Sequence, residues 1–351
     1  MKIIHITFLV ATLVVAQLNA EEPSEEAVGF YRTGYQLLKA QNYRNAAIEL
    51  ERAVGADADY GAAHFALGLA YNYLNEYGKS IAALERAMAL GIQPEKIPGQ
   101  LAKLYHKLGV KSYQQKKYSD SIKNLQKALE YNPKNAKAHY IIGRSHSRLR
   151  NDEAAQKAYR KVVEVDPKDP KAYALLGDIH RKKREFGPAS DMYKKAISVD
   201  STYSEAYGGL AQIQIQSQNQ EGAVSTLRQG LEKDPKYANG HLYLGVALNQ
   251  LQRYHEAIDP LRRATELDRK NAETHFRLAE SYYGTGDNRE AIRAGTTAVG
   301  RRKDYFAAYV LLGDANAKLG QVQEAKNWYS KAVKDSRFKD YCTHQLEELS
   351  R

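Results

Sequence analysis

Cysteine is all but missing from this chain: Cys342 stands alone among 351 residues. No internal disulfide can form, so a small scaffold stapled by bridges is excluded, and so is a thiolate-rich metal cluster. Cys342 itself reads as a small apolar packing residue, with an intermolecular bridge or a reactive thiol as the sharper alternatives. Proline is scarce as well, nine in all, which leaves long stretches free to run as helix. The phosphate-cradling GxxxxGK[ST], the zinc-protease HExxH and the GxSxG nucleophile elbow are all missing. The chain therefore reads as non-catalytic and gives no cofactor or metal to assign. His146 and His180 share an internal register, but no carboxylate or thiol follows them at ligand spacing.

A single long apolar run is present, and it opens the chain. Residues 1–20, MKIIHITFLVATLVVAQLNA, have Lys2 as a minimal positive start and a mostly apolar run from Ile3 to Val15. Leu18-Asn19-Ala20 forms a cleavage end, with Val14-Val15-Ala16 as a second candidate. The run is short for a membrane span, which needs about 20 residues. A cleaved export signal is predicted, placing the chain in the periplasm or outside the cell. An uncleaved N-terminal anchor and an endoplasmic reticulum lumen are the alternatives. Export governs how the net charge of +11 is read. Inside a cell it would point to nucleic acid. Outside, it points to acidic polypeptides, anionic lipid headgroups or anionic wall polymers, so nucleic acid is not expected and a membrane surface could be touched but not spanned.

What fills the rest of the chain is a repeat. In PKAYALLGDIHRKKREFGPASDMYKKAISVDSTY, residues 170–203, Tyr173, Leu176, Gly177 and His180 lie on one helical face. Ala189, Tyr193 and Ala196 lie on a second, with Phe186-Gly187-Pro188 at the corner between. The small residue of the first helix recurs at Gly143, Gly177, Ala211, Gly245, Ala279 and Gly313, each step 34 residues. That of the second recurs in step at Ala155, Ala189, Ala223, Ala257, Ala291 and Ala325. This pattern resembles the tetratricopeptide repeat, whose paired helices stack into a solenoid. The resemblance implies an all-α, right-handed superhelical α-solenoid of about nine helix pairs with a C-terminal capping helix. The predicted repeats span residues 27–60, 61–94, 102–135, 136–169, 170–203, 204–237, 238–271, 272–305 and 306–339. An acidic lead-in occupies 21–26, an insertion 95–101 and the cap 340–351.

Three places depart from the pattern. Gly68 to Gly109 is 41 residues, which predicts either a longer connection or an extra turn on the third pair's first helix. Gln212–Gln220, QIQIQSQNQ, alternates as a strand would, although the surrounding register argues for helix. Pro260 falls inside a second helix and is expected to kink it. His64, His139, His241 and His275 share the position that Phe30, Tyr105, Tyr173, Tyr207 and Tyr309 hold elsewhere, which reads as packing rather than ligation.

In the family, first-helix positions beside the packing stripe line a concave groove that holds polypeptide. Carried onto this chain, they give Tyr31, Tyr35, Phe65, Asn72, Tyr73, His106 and Tyr113, then Tyr140, Arg144, Arg148, Asp178, Arg181 and Lys182. A mixed C-terminal stretch follows, with Asn249, Phe276, Glu280, Tyr283 and Asp314. Members that hold chaperone tails place Lys and Asn at set groove positions, and here those positions carry Phe65, Leu69, Asn72, His106 and Val110. The resemblance thus implies a scaffold for extended or helical segments, acidic ones fitting best, in assembly or upkeep of an envelope complex. The runner-up is a basic module for anionic glycan or lipid headgroups through Arg144, Arg148, Arg181–Arg184 and Arg301–Lys303.

Overall fold

The computed structural model describes residues 22–93 and 95–350; the expected export signal lies outside them. The described residues form nineteen helices and no strand. In chain order these are α1 (Glu25–Lys39), α2 (Tyr43–Ala56), α3 (Gly61–Tyr73), α4 (Tyr77–Ala89), α5 (Ile97–Gln114), α6 (Tyr118–Tyr131), α7 (Ala136–Arg148) and α8 (Asp152–Val165). Then come α9 (Pro170–Lys182), α10 (Phe186–Val199), α11 (Ser204–Gln216), α12 (Gln220–Lys233), α13 (Ala238–Gln250) and α14 (Tyr254–Leu267). The last are α15 (Ala272–Thr285), α16 (Asn288–Arg301), α17 (Phe306–Lys318), α18 (Val322–Ala332) and α19 (Lys339–Glu348). Odd and even helices pair as antiparallel hairpins, and within each unit one pair packs on the next, giving an α-solenoid of helix pairs. The described residues form two compact units, dividing between residues 161 and 162.

Each pair is closed by a small residue set against a large one. A Cβ on Gly34, Gly68 or Gly109 would come within 2.7, 2.6 or 2.5 Å of Leu50, Leu84 or Leu125 in the paired helix. At Gly143, Gly177 and Gly313 the facing group is a tyrosine ring, Tyr159, Tyr193 or Tyr329. These leucines and tyrosines are all buried, so any larger residue at the glycine would overpack the crossing. The residue after the glycine follows suit. Leu69 and Val110 stand where the partner is Leu, and Arg144, Asp178 and Asp314 where it is Tyr, whose hydroxyl needs a polar neighbour. Asp178 and Asp314 accept hydrogen bonds from Tyr193 and Tyr329, each at 2.7 Å.

The connections between pairs are built once and reused. Asp57, Asp166, Asp200, Asp234 and Asp268 each accept a bond from the amide two residues on, at 2.8–3.2 Å. The shared aromatic-or-histidine position then reaches back to a carbonyl six residues earlier. His64, His139, His241 and His275 bond Ala58, Pro133, Pro235 and Arg269 at 2.9–3.2 Å. Tyr207 and Tyr309 donate to the equivalent Ser201 and Lys303 carbonyls. Histidine therefore replaces tyrosine here as a polar clasp on the loop, which corrects the reading of pure packing.

The irregular stretches resolve in favour of helix. Five of the seven surplus residues lengthen α5, which has 18 residues where most first helices have 13, and the rest lengthen the connection ahead of it. The Gln/Ile alternation ends α11, with Ile213 buried by the register around it. Pro260 sits within α14, which runs on through it to Leu267. Cys342, on α19, is fully buried against Ala325, Tyr329 and Ala332. Burial pushes its thiol up to about 11, with the Asp314 charge second. The thiolate needed for exchange is therefore disfavoured. No described helix is long and apolar enough to cross a membrane.

Candidate functional site

First helices of neighbouring pairs touch one another directly: α1 with α3, α5 with α7, α9 with α11, α11 with α13, α13 with α15 and α15 with α17. Among the described residues no contact of that extent links one second helix to the next. First helices therefore form the inner layer of each unit, and their side chains beside the packing stripe share one surface.

In the unit of residues 1–161 that surface is aromatic and cationic. α3, α5 and α7 contain no Asp or Glu. Tyr73, 58% exposed, stacks on Tyr43 with ring centroids 4.3 Å apart. Tyr31 stacks on Tyr35, which is exposed and carries Lys39 over its ring. Asn72 accepts from Lys107, 3.4 Å away on α5, and Lys107 and Lys111 lie over Tyr77. Phe65 and His106 are half-buried. Burial, and then the Lys137 cation, hold the His106 imidazole below its usual value, so it is neutral at pH 7. The Arg144 guanidinium lies over both Tyr113 and Tyr140, 5.2 and 5.9 Å from their centroids. Arg148 is exposed at the end of the same helix. Lys107 and Lys111 were not among the residues expected here. Their i, i+4 spacing on an acid-free helix was the signal that could have found them.

The unit of residues 162–351 is different. Asp178 is directed to its own pair, taking the Tyr193 hydroxyl and, at 3.4 Å, Arg181. Beside its place among the expected groove residues, Asp178 thus supplies the acceptor that a buried phenol needs. Lys182 is exposed. Further along, α13, α15 and α17 enclose a cleft of about 370 Å³, lined by Val246, Asn249, Phe276, Glu280, Tyr283, Val310 and Asp314, with Phe338 beyond α18. Asn249 donates to the Arg277 carbonyl at 3.0 Å and accepts from Ser281 at 2.7 Å, tying α13 to α15. Arg277 forks between Glu273 and Glu280 at 2.6 and 2.9 Å. Burial lifts the carboxyl of Glu280 above its usual range against the pull of Arg277, and burial likewise lifts Asp314 although Tyr329 and Tyr341 donate to it. Five cleft residues had been placed on the groove from sequence, while Arg277 and Phe338 had not.

Stacked helical hairpins with a side-chain-lined inner layer define a helix-pair repeat protein. Four family profiles match: three described as tetratricopeptide repeat, over residues 112–179, 170–203 and 31–94 with 276–339, and one as TPR repeat, over 245–286. The chain is a tetratricopeptide-repeat protein. No curated protein matches it. Among solved structures, a tetratricopeptide repeat protein from Parabacteroides merdae aligns over 72% of this chain and 100% of its own at 16% identity, TM-score 0.51. PilF of Pseudomonas aeruginosa aligns over 63% and 99% at 17% identity, TM-score 0.53. PilW, a widely conserved type IV pilus biogenesis factor, aligns over 62% and 98% at 14% identity, TM-score 0.51. At these identities the likeness is one of fold.

Proposed function

We propose that this chain is an exported, non-catalytic scaffold that holds an acidic polypeptide segment on the inner face of residues 22–161, in assembly or upkeep of a cell-envelope complex. The observation that carries the reading is the charge of that face. Three successive first helices, α3, α5 and α7, lack any carboxylate, and their cations lie over exposed or half-buried tyrosines. Rings held beside guanidinium and ammonium groups give apolar anchors next to sites for Asp or Glu. The export signal read from residues 1–20 supports the setting. What PilW is said to do in pilus biogenesis belongs to the same class of role.

Affinity capture from an envelope extract tests this, run at about 0.1 and about 0.5 M salt, where the Debye length falls to a few ångströms. One or a few polypeptides kept at high salt, and lost with Arg144→Glu plus Arg148→Glu, are the expected result. Salt-labile capture of mixed anionic glycan or lipid would overturn the scaffold in favour of a charged-surface module.

A further inference from the structure

In the second unit the inner face carries acidic residues. The cleft between α13, α15 and α17 holds Glu280 and Asp314 on its wall, and Glu273 stands two turns before Glu280 on α15. Against these three carboxylates stand Arg277, already shared by Glu273 and Glu280, and Lys318 of α17, whose charge reaches Asp314 without an ion pair. Glu273 also accepts the Tyr305 hydroxyl. Asp314 takes two hydroxyls, from Tyr329 at 2.7 Å and Tyr341 at 2.8 Å, and forms no ion pair among the described residues. Around these acids the wall is apolar: Val246, Phe276, Val310, Leu311 and Phe338.

Three carboxylates on an apolar wall are costly, because partial burial removes hydration while two cations compensate them only in part. Burial has raised both the Glu280 and the Asp314 carboxyls. An entering cation relieves that cost, whereas an entering anion adds to it. The wall suits the methylene stem of a long side chain, and Tyr283 lines it close enough to Asp314 to feel that charge. The cleft lies within the range of about 300–1,000 Å³ typical of side-chain and ligand pockets.

We propose that this cleft is a second docking site, of opposite preference, that takes a lysine or arginine flanked by apolar residues on a partner polypeptide. It stands independently of the acidic-segment reading, since it uses other helices and the other sign of charge.

The test uses the full chain and four pools of acetylated, amidated nonapeptides. Their flanks are random in Leu, Phe and Ala, and the central residue is fixed as Lys, Arg, Gln or Glu. The expected result is that Lys and Arg pools bind at least tenfold tighter than the Gln pool. That preference should vanish in Glu280→Gln with Asp314→Asn, and in Val246→Lys, which sets a cation at the cleft without touching the tyrosine bonds. Arg144→Glu with Arg148→Glu should leave Lys and Arg binding unchanged while weakening the Glu pool. Equal binding of all pools, no binding of the Lys and Arg pools, or a Lys preference that survives Val246→Lys in a folded protein would overturn the proposal. Loss of Glu-pool binding alone would bear only on the other face.

Discussion

Among the described residues, eight with side chains carry a positive φ, and seven of them fall in one repeating place: Gln41, Asn75, Lys116, Arg150, Arg184, Gln218 and Gln252, each at the hairpin turn within a pair. Gly286 and Gly320 fill the same place in the last two pairs, where φ is +86° and +69°. A Cβ at either glycine would meet nothing within 4 Å, so any penalty there is conformational and not steric. Gly286→Ala and Gly320→Ala should each cost about 1 kcal/mol in chemical denaturation. Arg150→Gly, which releases the same strain, should be neutral or stabilising by up to about 1 kcal/mol. Much at this scale was legible. The 34-residue recurrence of Gly and Ala foretold the helix crossings, because a missing Cβ is a steric fact that needs no context. The clasp by His64, His139, His241 and His275 was not legible as a bond. Sharing a position with tyrosine shows a ring, while the carbonyl it reaches is placed by the loop.

Single helices show what local pattern cannot decide. The alternation that closes α11 asks for a strand, yet Tyr207, Leu210 and Ile213 are buried at helical spacing, and packing against neighbouring pairs prevails. The candidate site divides in the same way. Aromatic and basic positions on α1, α3, α5 and α7 could be read from register, since each lies beside a known packing residue. The cleft of α13, α15 and α17 could not, because it depends on three helices and on Arg277 being consumed by Glu273 and Glu280. Its acids make a prediction about pH. Glu280 and Asp314 have folded-state values raised above those of the unfolded chain. Their contribution to stability is therefore fully present below the ordinary carboxylate range near 4 and is lost as pH rises through the raised values. Between pH 7 and pH 4 the denaturant midpoint of the natural chain should gain on that of Glu280→Gln with Asp314→Asn. The difference cancels surface acids such as Asp200 and Asp335, whose carboxyls are held low by their hydrogen bonds. Parallel midpoints across that range would contradict the burial argument.

A stack of pairs draws its stability from neighbours, so damage should be graded along the chain. Gly177 tests this, because a Cβ there would stand 2.9 Å from the buried Tyr193 ring, which also fills the space beside Gly209 of α11. One overpacked crossing therefore disturbs α9, α10 and α11 together. Gly177→Leu should destabilise by roughly 1–3 kcal/mol or more, given that leucine adds four carbons to a filled site. Hydrogen exchange should show protection falling first over residues 136–237 and least in α1 to α4 and in α17 to α19. The outer pairs keep their own crossings, closed by Leu50 and Leu84 at one end and Tyr329 at the other. A uniform loss from Glu25 to Glu348 would mean that the array unfolds as one cooperative body, and a binding face at one end could then be weakened by a lesion anywhere. A graded loss would mean that each face is stabilised chiefly by its own neighbouring pairs, so the aromatic and cationic surface of α3, α5 and α7 could be altered without unfolding the acidic cleft.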